Sequence, residues 1–236
     1  MQKEESAKEQ RPGTDPGHLP FIMMSAITVG IVLYLFSHPA AWLYLLNLSY
    51  FGTPFLDSYA LLAAGEAHMM GLNVFEPNPL DPFGRPHSYS RWWLLMGDLG
   101  LTRKHIYDMG IIVNGLFLTS ALLVLRPRCW TDASVGVLAI CSSAVLFGVE
   151  RANNDLIIFT LLSIVPLLLN WRMRFGIPAA WLTLFLATGL KYFPVMGYLV
   201  FIKKLKNVRV LWWVTFTAFA ATAAYIFYYL NDLYLV

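Results

Sequence analysis

The chain predicts an all-α, polytopic membrane protein: a helical bundle with one large loop outside the bilayer. Three observations lead there. Hydrophobic residues make up 58% of its 236 residues and charged ones only 13%, against roughly 25% charged in soluble domains. The mean hydropathy is +0.57. The apolar residues gather into runs near the length of about 20 that a helix needs to cross the hydrocarbon. The net charge of +3 is scattered between those runs, which excludes a nucleic-acid surface. The bilayer itself is the first partner.

The elements follow in chain order. Residues 1–18 mix both charges with proline and glycine and read as a disordered cytoplasmic tail; 19–236 form a single membrane domain. The first span, 19–36, lacks a small-residue cleavage site and reads as a retained helix, not a secretory signal. The loop 37–105 opens on an apolar piece, 40–51, lying in the interface. It continues as a helix from about Phe55 to Met70, with Asp57 in the first turn and Glu66 near the end. At 100° per residue these two carboxylates face opposite ways, so only one can face a given cavity. The stretch G-L-N-V-F-E-P-N-P-L-D-P-F-G-R-P-H-S-Y-S-R-W-W-L after it is too rich in proline, glycine and asparagine for regular structure. Its aromatic residues, Phe75, Phe83, Tyr89, Trp92 and Trp93, suit either a ligand cleft or interfacial anchoring. Further spans are expected at 106–125, 133–149, 156–171 and 210–230, for a total of five or six.

Lysine and arginine in the short loops set the orientation. A cytoplasmic N-terminus puts Lys3, Lys8 and Arg11 inside, then Arg126 and Arg128, then Arg172 and Arg174. The cluster Lys203, Lys204, Lys206 and Arg209 falls outside if 177–202 crosses once. It falls inside if 177–202 is broken or re-entrant, rising to Leu190, turning at 191–194 and returning. Pro194 favours the turn, because it removes a donor and disfavours helical geometry at Phe193. The alternative is one ordinary helix whose lysine snorkels. With either reading the loop 37–105 and the connection 150–154 are extracytoplasmic, facing a periplasm or the exterior.

Lys191 draws attention because an ammonium in an apolar stretch costs on the order of 3 kcal/mol, and such residues meet anionic ligands by default. The E-R-A-N-N-D segment opens the helix from 156. Asn153 or Asn154 can cap it, and its free N–H groups make an anion site. Arg151 adds a fixed charge that Glu150 can orient, with Asp155 in the first turn; a self-neutralised, well-capped turn is the plain alternative. Arg85 and Arg91 can each pair with a phosphate. Cys129 and Cys141 offer neither a disulfide nor metal-ligand spacing, and His68, His87 and His105 are too dispersed to hold a metal. No metal is expected.

These pieces together resemble the membrane-embedded glycosyltransferases of the GT-C superfamily, most closely bacterial family 87. The likeness rests on L-D-S-Y-A in the first external loop, G-L-N-V-F-E-P-N-P, Y-S-R-W-W-L, the asparagine-rich start of a later helix, and L-K-Y-F-P. The resemblance implies a GT-C-like N-terminal module, the bacterial cytoplasmic membrane and a donor sugar on a polyprenyl phosphate, transferred on the extracytoplasmic face with inversion and without a cofactor. It implies Asp57 as general base, with Glu66 as second choice. It implies Arg151, Lys191, Asn153 and Asn154 around the donor phosphate, supported by Glu150, Asp155, Arg85, Arg91 and Tyr192. Members of that family carry further spans beyond those read here. A second expectation follows from that: a catalytically inactive GT-C-like remnant serving as a structural or assembly subunit, its apolar faces covered by other membrane subunits. A transporter lacks support, since no pair of broken helices recurs in two halves.

Overall fold

A computed structural model describes residues 18–46, 53–170, 175–201 and 208–228. The tail before residue 18, the arginines at 172 and 174 and the lysines at 203, 204 and 206 lie outside the described residues. All regular elements among the described residues are helical. They are α1 (Leu19–Ser37), α2 (Pro39–Leu46), α3 (Leu56–Met69), α4 (Leu95–Asp98), α5 (Ile106–Leu125), α6 (Trp130–Ile140), α7 (Ser143–Arg151), α8 (Asn154–Asn170), α9 (Gly176–Leu190) and α10 (Val208–Tyr228), with 3-10 turns at Arg91–Leu94, Arg103–His105 and Phe193–Leu199.

Among the described residues two helices are long and apolar enough to cross a membrane, Leu19–Ser37 and Arg103–Leu125, and the bent pair α6–α7 makes up to three. In α1 the buried positions Met24, Thr28, Val32 and Leu35 fall on one stripe, while Ile22, Ile27 and Leu33 face outward. A helix apolar on all sides suits lipid or a protein partner on the face that does not pack.

The expected span 133–149 is two helices inclined at 53°. Ser142 adopts extended backbone (φ −64°, ψ 148°), and its hydroxyl closes on the Ala139 carbonyl at 2.9 Å. A serine bonded to the preceding turn offers the chain an alternative to the helix. The helix expected from 156 begins at Asn154. In the stretch 177–202, α9 stops at Leu190, Lys191 is extended (φ −154°, ψ 132°) and the chain resumes as a 3-10 turn at Phe193.

Three hydrophobic clusters occur among the described residues; the smallest, Ala64, Ala67, Val74 and Leu94, packs the loop on α3, and the other two join the helices. One joins α1, α3, α5, α6 and α7 around Met24, Leu62, Val113, Phe117 and Leu146. The other joins the far end of α8 to α9, the 193–199 turn and α10 around Val165, Leu184, Tyr198, Phe201 and Ala218. Helix α8 belongs to both, with Leu156 in the first and Val165 and Leu169 in the second.

The proline-rich part of the loop is ordered by side chains that close local turns. Asn73 Oδ1 accepts the Phe75 N–H at 3.2 Å, Asn78 Oδ1 the Leu80 N–H at 2.9 Å, and Asp81 Oδ1 the Phe83 N–H at 2.9 Å. Asn and Asp are the residues that make such turns. His87 locks the end of the loop: its N–H donates to Val74 O at 2.7 Å and its Nε2 lies 3.1 Å from Ser90 O. Burial holds the His87 imidazole below its ordinary value of 6.5, and the neighbouring Arg91 adds to the effect against the Ser90 bond. The sign follows from linkage. The unfolded chain takes up a proton as pH falls through 6.5 while folded His87 resists it, so the stability it contributes is complete above 6.5 and lost below. Amide exchange across 73–90, corrected for intrinsic rates, is expected to accelerate between about pH 7.5 and about pH 5.5. His87→Gln is expected to abolish that dependence.

Candidate functional site

The site forms where the start of α3 meets the α7–α8 corner. Main-chain bonds set the crossing: the Phe55 N–H donates to Glu150 O at 3.1 Å, and Ser58 Oγ donates to Ala152 O at 2.7 Å. Phe55 (φ 57°) and Ala152 (φ 43°) are the two non-glycine residues with left-handed backbone among those described. Such geometry costs on the order of 1–3 kcal/mol per residue and persists where the surroundings enforce it. Here the Phe55 ring fills the space over Gly110, where a Cβ would meet it at 2.2 Å. Ala152 is fully buried.

This crossing brings Asp57, in the first turn of α3, against the 151–153 segment. Asn153 Nδ2 donates to Asp57 Oδ2 at 2.6 Å. Arg151 Nη1 lies 3.5 Å and Arg85 Nη1 3.7 Å from Asp57 Oδ1. The Asp57 side chain is 11% exposed. The other end of Asn153 caps α8, its Oδ1 accepting the Asp155 N–H at 2.8 Å. Asn153 therefore ties the carboxylate to the helix start through a single amide. Asn154 does not cap; it is buried, and neither amide atom has a hydrogen-bond partner among the described residues.

Arg151 stacks over the Phe147 ring at 4.2 Å and has Glu150 Oε2 3.9 Å from its Nε. Glu150 is buried beneath it. Arg85 is committed more firmly. It forks onto Asp81, with Nε to Oδ1 at 3.1 Å and Nη2 to Oδ2 at 2.8 Å, and Nη2 also reaches Leu56 O at 3.0 Å. Burial pushes the Asp81 carboxyl upward, but the Arg85 guanidinium and two backbone N–H groups outweigh it and hold the group below its ordinary value. Asp81 was not among the expected residues. The D-P-F-G-R spacing, with Gly84 at φ 64° folding the chain back, was the available signal.

Lys191 sits at the free end of α9 and pairs with Asp155 in the first turn of α8, Nζ to Oδ1 at 2.5 Å. The two side chains are 26% and 53% exposed, so this pair opens to solvent where the Asp57 cluster does not. Tyr89 lies in electrostatic reach of both groups, feeling Asp57, Arg85, Asp155 and Arg151. Asp57, Arg85, Arg151 and Asn153 are thus in direct contact, and Asp155 and Lys191 stand beside them.

The remaining expected residues lie apart from the Asp57 contacts. Glu66, at the far end of α3, is gripped by Arg103, with Nε to Oε2 at 2.9 Å and Nη2 to Oε1 at 3.2 Å. Those hydrogen bonds hold its carboxyl below the ordinary value against the opposing effect of burial, which makes it a poor base. Arg91 lies over the Phe75 ring at 5.2 Å. Tyr192 is 71% exposed next to Lys191. Trp92, by contrast, packs against Gly189, where a Cβ would lie 2.2 Å from its ring. Trp93 Nε1 donates to the last α9 carbonyl, Leu190 O, at 3.1 Å. The loop therefore docks on the helix end that presents Lys191. No group of three or more His, Cys, Asp or Glu residues suited to a metal occurs among the described residues.

No family model matches the chain, and neither a curated protein nor a solved structure matches it.

Proposed function

We propose that the chain is a membrane glycosyltransferase that moves a sugar from a polyprenyl-phosphate donor to an acceptor hydroxyl at the extracytoplasmic face. One observation carries the reading: Asp57 from the start of α3 and Arg151 and Asn153 from the α7–α8 corner share one cluster, with Lys191 on the neighbouring helix end. A carboxylate and several cations brought together from separate elements suit a reaction that takes a proton from one substrate and releases an anion from another.

In this reading Asp57 accepts the proton of the acceptor hydroxyl as its oxygen bonds to the anomeric carbon. The bond from that carbon to the phosphate oxygen breaks, and the electron pair leaves on the polyprenyl phosphate with inversion at the sugar. Arg151 and Lys191, with the first-turn N–H groups of α8, stabilise the charge growing on the departing phosphate. The chemistry draws on no metal and no nucleotide. The test is direct: the full chain, purified and supplied with hexosyl polyprenyl phosphates and a glycoside acceptor, is expected to form a new glycosidic bond. Within it, Lys191→Met is expected to weaken binding of a short-chain prenyl phosphate about tenfold, the size of a lost charge-assisted bond. Unchanged affinity removes Lys191 from the phosphate site.

A second reading has one observation in its favour. Both Asp57 oxygens are already engaged, and α10 presents Trp212, Trp213, Phe216 and Phe219 to the outside. A remnant of the same architecture, serving as an assembly subunit, accounts for both. Purification from native membranes separates the two: bound prenyl phosphate supports the enzyme, whereas stoichiometric membrane partners without transfer support the subunit.

A further inference from the structure

Residues 85–93 cross the site as a strap. At one end Arg85 is fixed on Leu56 O and beside Asp57; at the other Trp93 is fixed on Leu190 O. The intervening residues are pinned as well. His87 is held to Val74 and Ser90, and Ser90 Oγ accepts the Trp92 N–H at 3.2 Å while also bonding the Tyr225 hydroxyl of α10. Tyr89 is the midpoint. Its ring meets His87 edge-on, centroids 6.1 Å apart and planes at 64°, and the residue is half-buried. Its hydroxyl has no hydrogen-bond partner among the described residues. The hydroxyl is not among the buried unpartnered polar atoms, so it is open to a ligand. This one is held rigidly by its neighbours with its polar tip uncommitted.

We propose that Tyr89 is an acceptor-binding residue, its phenolic O–H hydrogen-bonding one hydroxyl of a sugar or polyol so that a neighbouring hydroxyl meets Asp57. The inference rests on the glycosyl-transfer reading. Of the charges that act on Tyr89, the Asp57 carboxylate acts most strongly, followed by Arg85, Asp155 and Arg151. Along the strap Tyr89 follows Arg85, which lies beside Asp57, and precedes Trp93, which docks on the helix end that presents Lys191. Burial first, and then the Asp57 charge, push the Tyr89 phenol above its ordinary value. A phenol held above its ordinary value of 10 is a neutral donor near neutral pH. An aromatic face beside that donor suits a carbohydrate ring, which presents hydroxyls at its edge and C–H groups on its face.

The experiment compares the wild-type full chain with Tyr89→Phe, which keeps the ring and removes only the hydroxyl. Both are supplied with a hexosyl polyprenyl phosphate, with octyl glucoside as the acceptor probe and water as the competing acceptor. The KM for octyl glucoside is expected to rise about tenfold, with kcat within about twofold, the loss of one hydrogen bond made equally in ground and transition states. Transfer of the sugar to water and the thermal midpoint are expected to stay at wild-type values. An unchanged acceptor KM overturns the Tyr89 assignment alone, and so does a fall that affects water and octyl glucoside equally or lowers the thermal midpoint. Absence of transfer by the wild-type chain overturns the glycosyl-transfer reading, and the assignment falls with it.

Discussion

Asp57→Asn is expected to lower sugar transfer by about 10² to 10⁴-fold, the contribution of a positioned general base, while expression and membrane insertion stay intact. The substitution is close to isosteric and keeps an oxygen for the 2.6 Å bond from Asn153. The cations around it do not depend on Asp57 alone. Arg85 retains its fork on Asp81, and Arg151 retains the Phe147 ring and Glu150. What is lost is the negative charge between two guanidiniums and, with it, the proposed capacity to accept the acceptor's proton. Initial rates of transfer to a glycoside acceptor, with detergent-extracted yield and thermal midpoint as controls, read out the two parts separately. Transfer at the wild-type rate removes Asp57 from the role. A collapsed midpoint instead assigns Asp57 to holding the crossing together.

The largest structural effect is expected away from the Asp57 cluster, where α3 meets α4. Gly65 in α3 and Gly97 in α4 touch backbone to backbone: a Cβ on Gly97 would lie 2.2 Å from Gly65 O, and a Cβ on Gly65 2.8 Å from Gly97 N. Neither neighbour is a flexible side-chain end that could turn away. Gly97→Ala must therefore push the two helices apart, and overpacking of this kind costs about 1–3 kcal/mol or more. Gly65→Ala, with the longer approach, is expected to be milder. Both substitutions, followed by thermal unfolding in detergent, give the order of the two effects. Equal stability of Gly97→Ala and wild type would show that α3 and α4 do not meet as described.

The long apolar helices were legible because the physics that makes them is local. Runs of apolar residues without a backbone interruption give α1 and α5. The break at 141–142 was not legible, since Ile140-Cys141-Ser142-Ser143 holds neither proline nor glycine and the bend comes from the backbone of one serine. The break at Lys191 was legible, because a lysine and Pro194 stand together in an apolar run. The opposition of Asp57 and Glu66 followed from helical geometry alone, and the structure places them in separate ion-pair groups. A cap at Asn153 or Asn154 was legible, but not which of the two supplies it, nor the hydrogen bond from Asn153 to a carboxylate 96 positions earlier. The Ser90–Tyr225 contact, across 135 positions, had no local trace at all. Local chemistry announces which side chains are available; tertiary packing decides which of them are spent on one another.

The two left-handed corners at Phe55 and Ala152 bear on any attempt to transplant this arrangement. Because main-chain bonds hold the carboxylate in register, copying its side-chain neighbours onto another helical scaffold would reproduce the inventory without the alignment. A faithful graft has to carry both corners and the glycine at 110 that admits the phenylalanine ring. The portable unit is therefore a pair of backbone bends, and the charged residues are passengers on it.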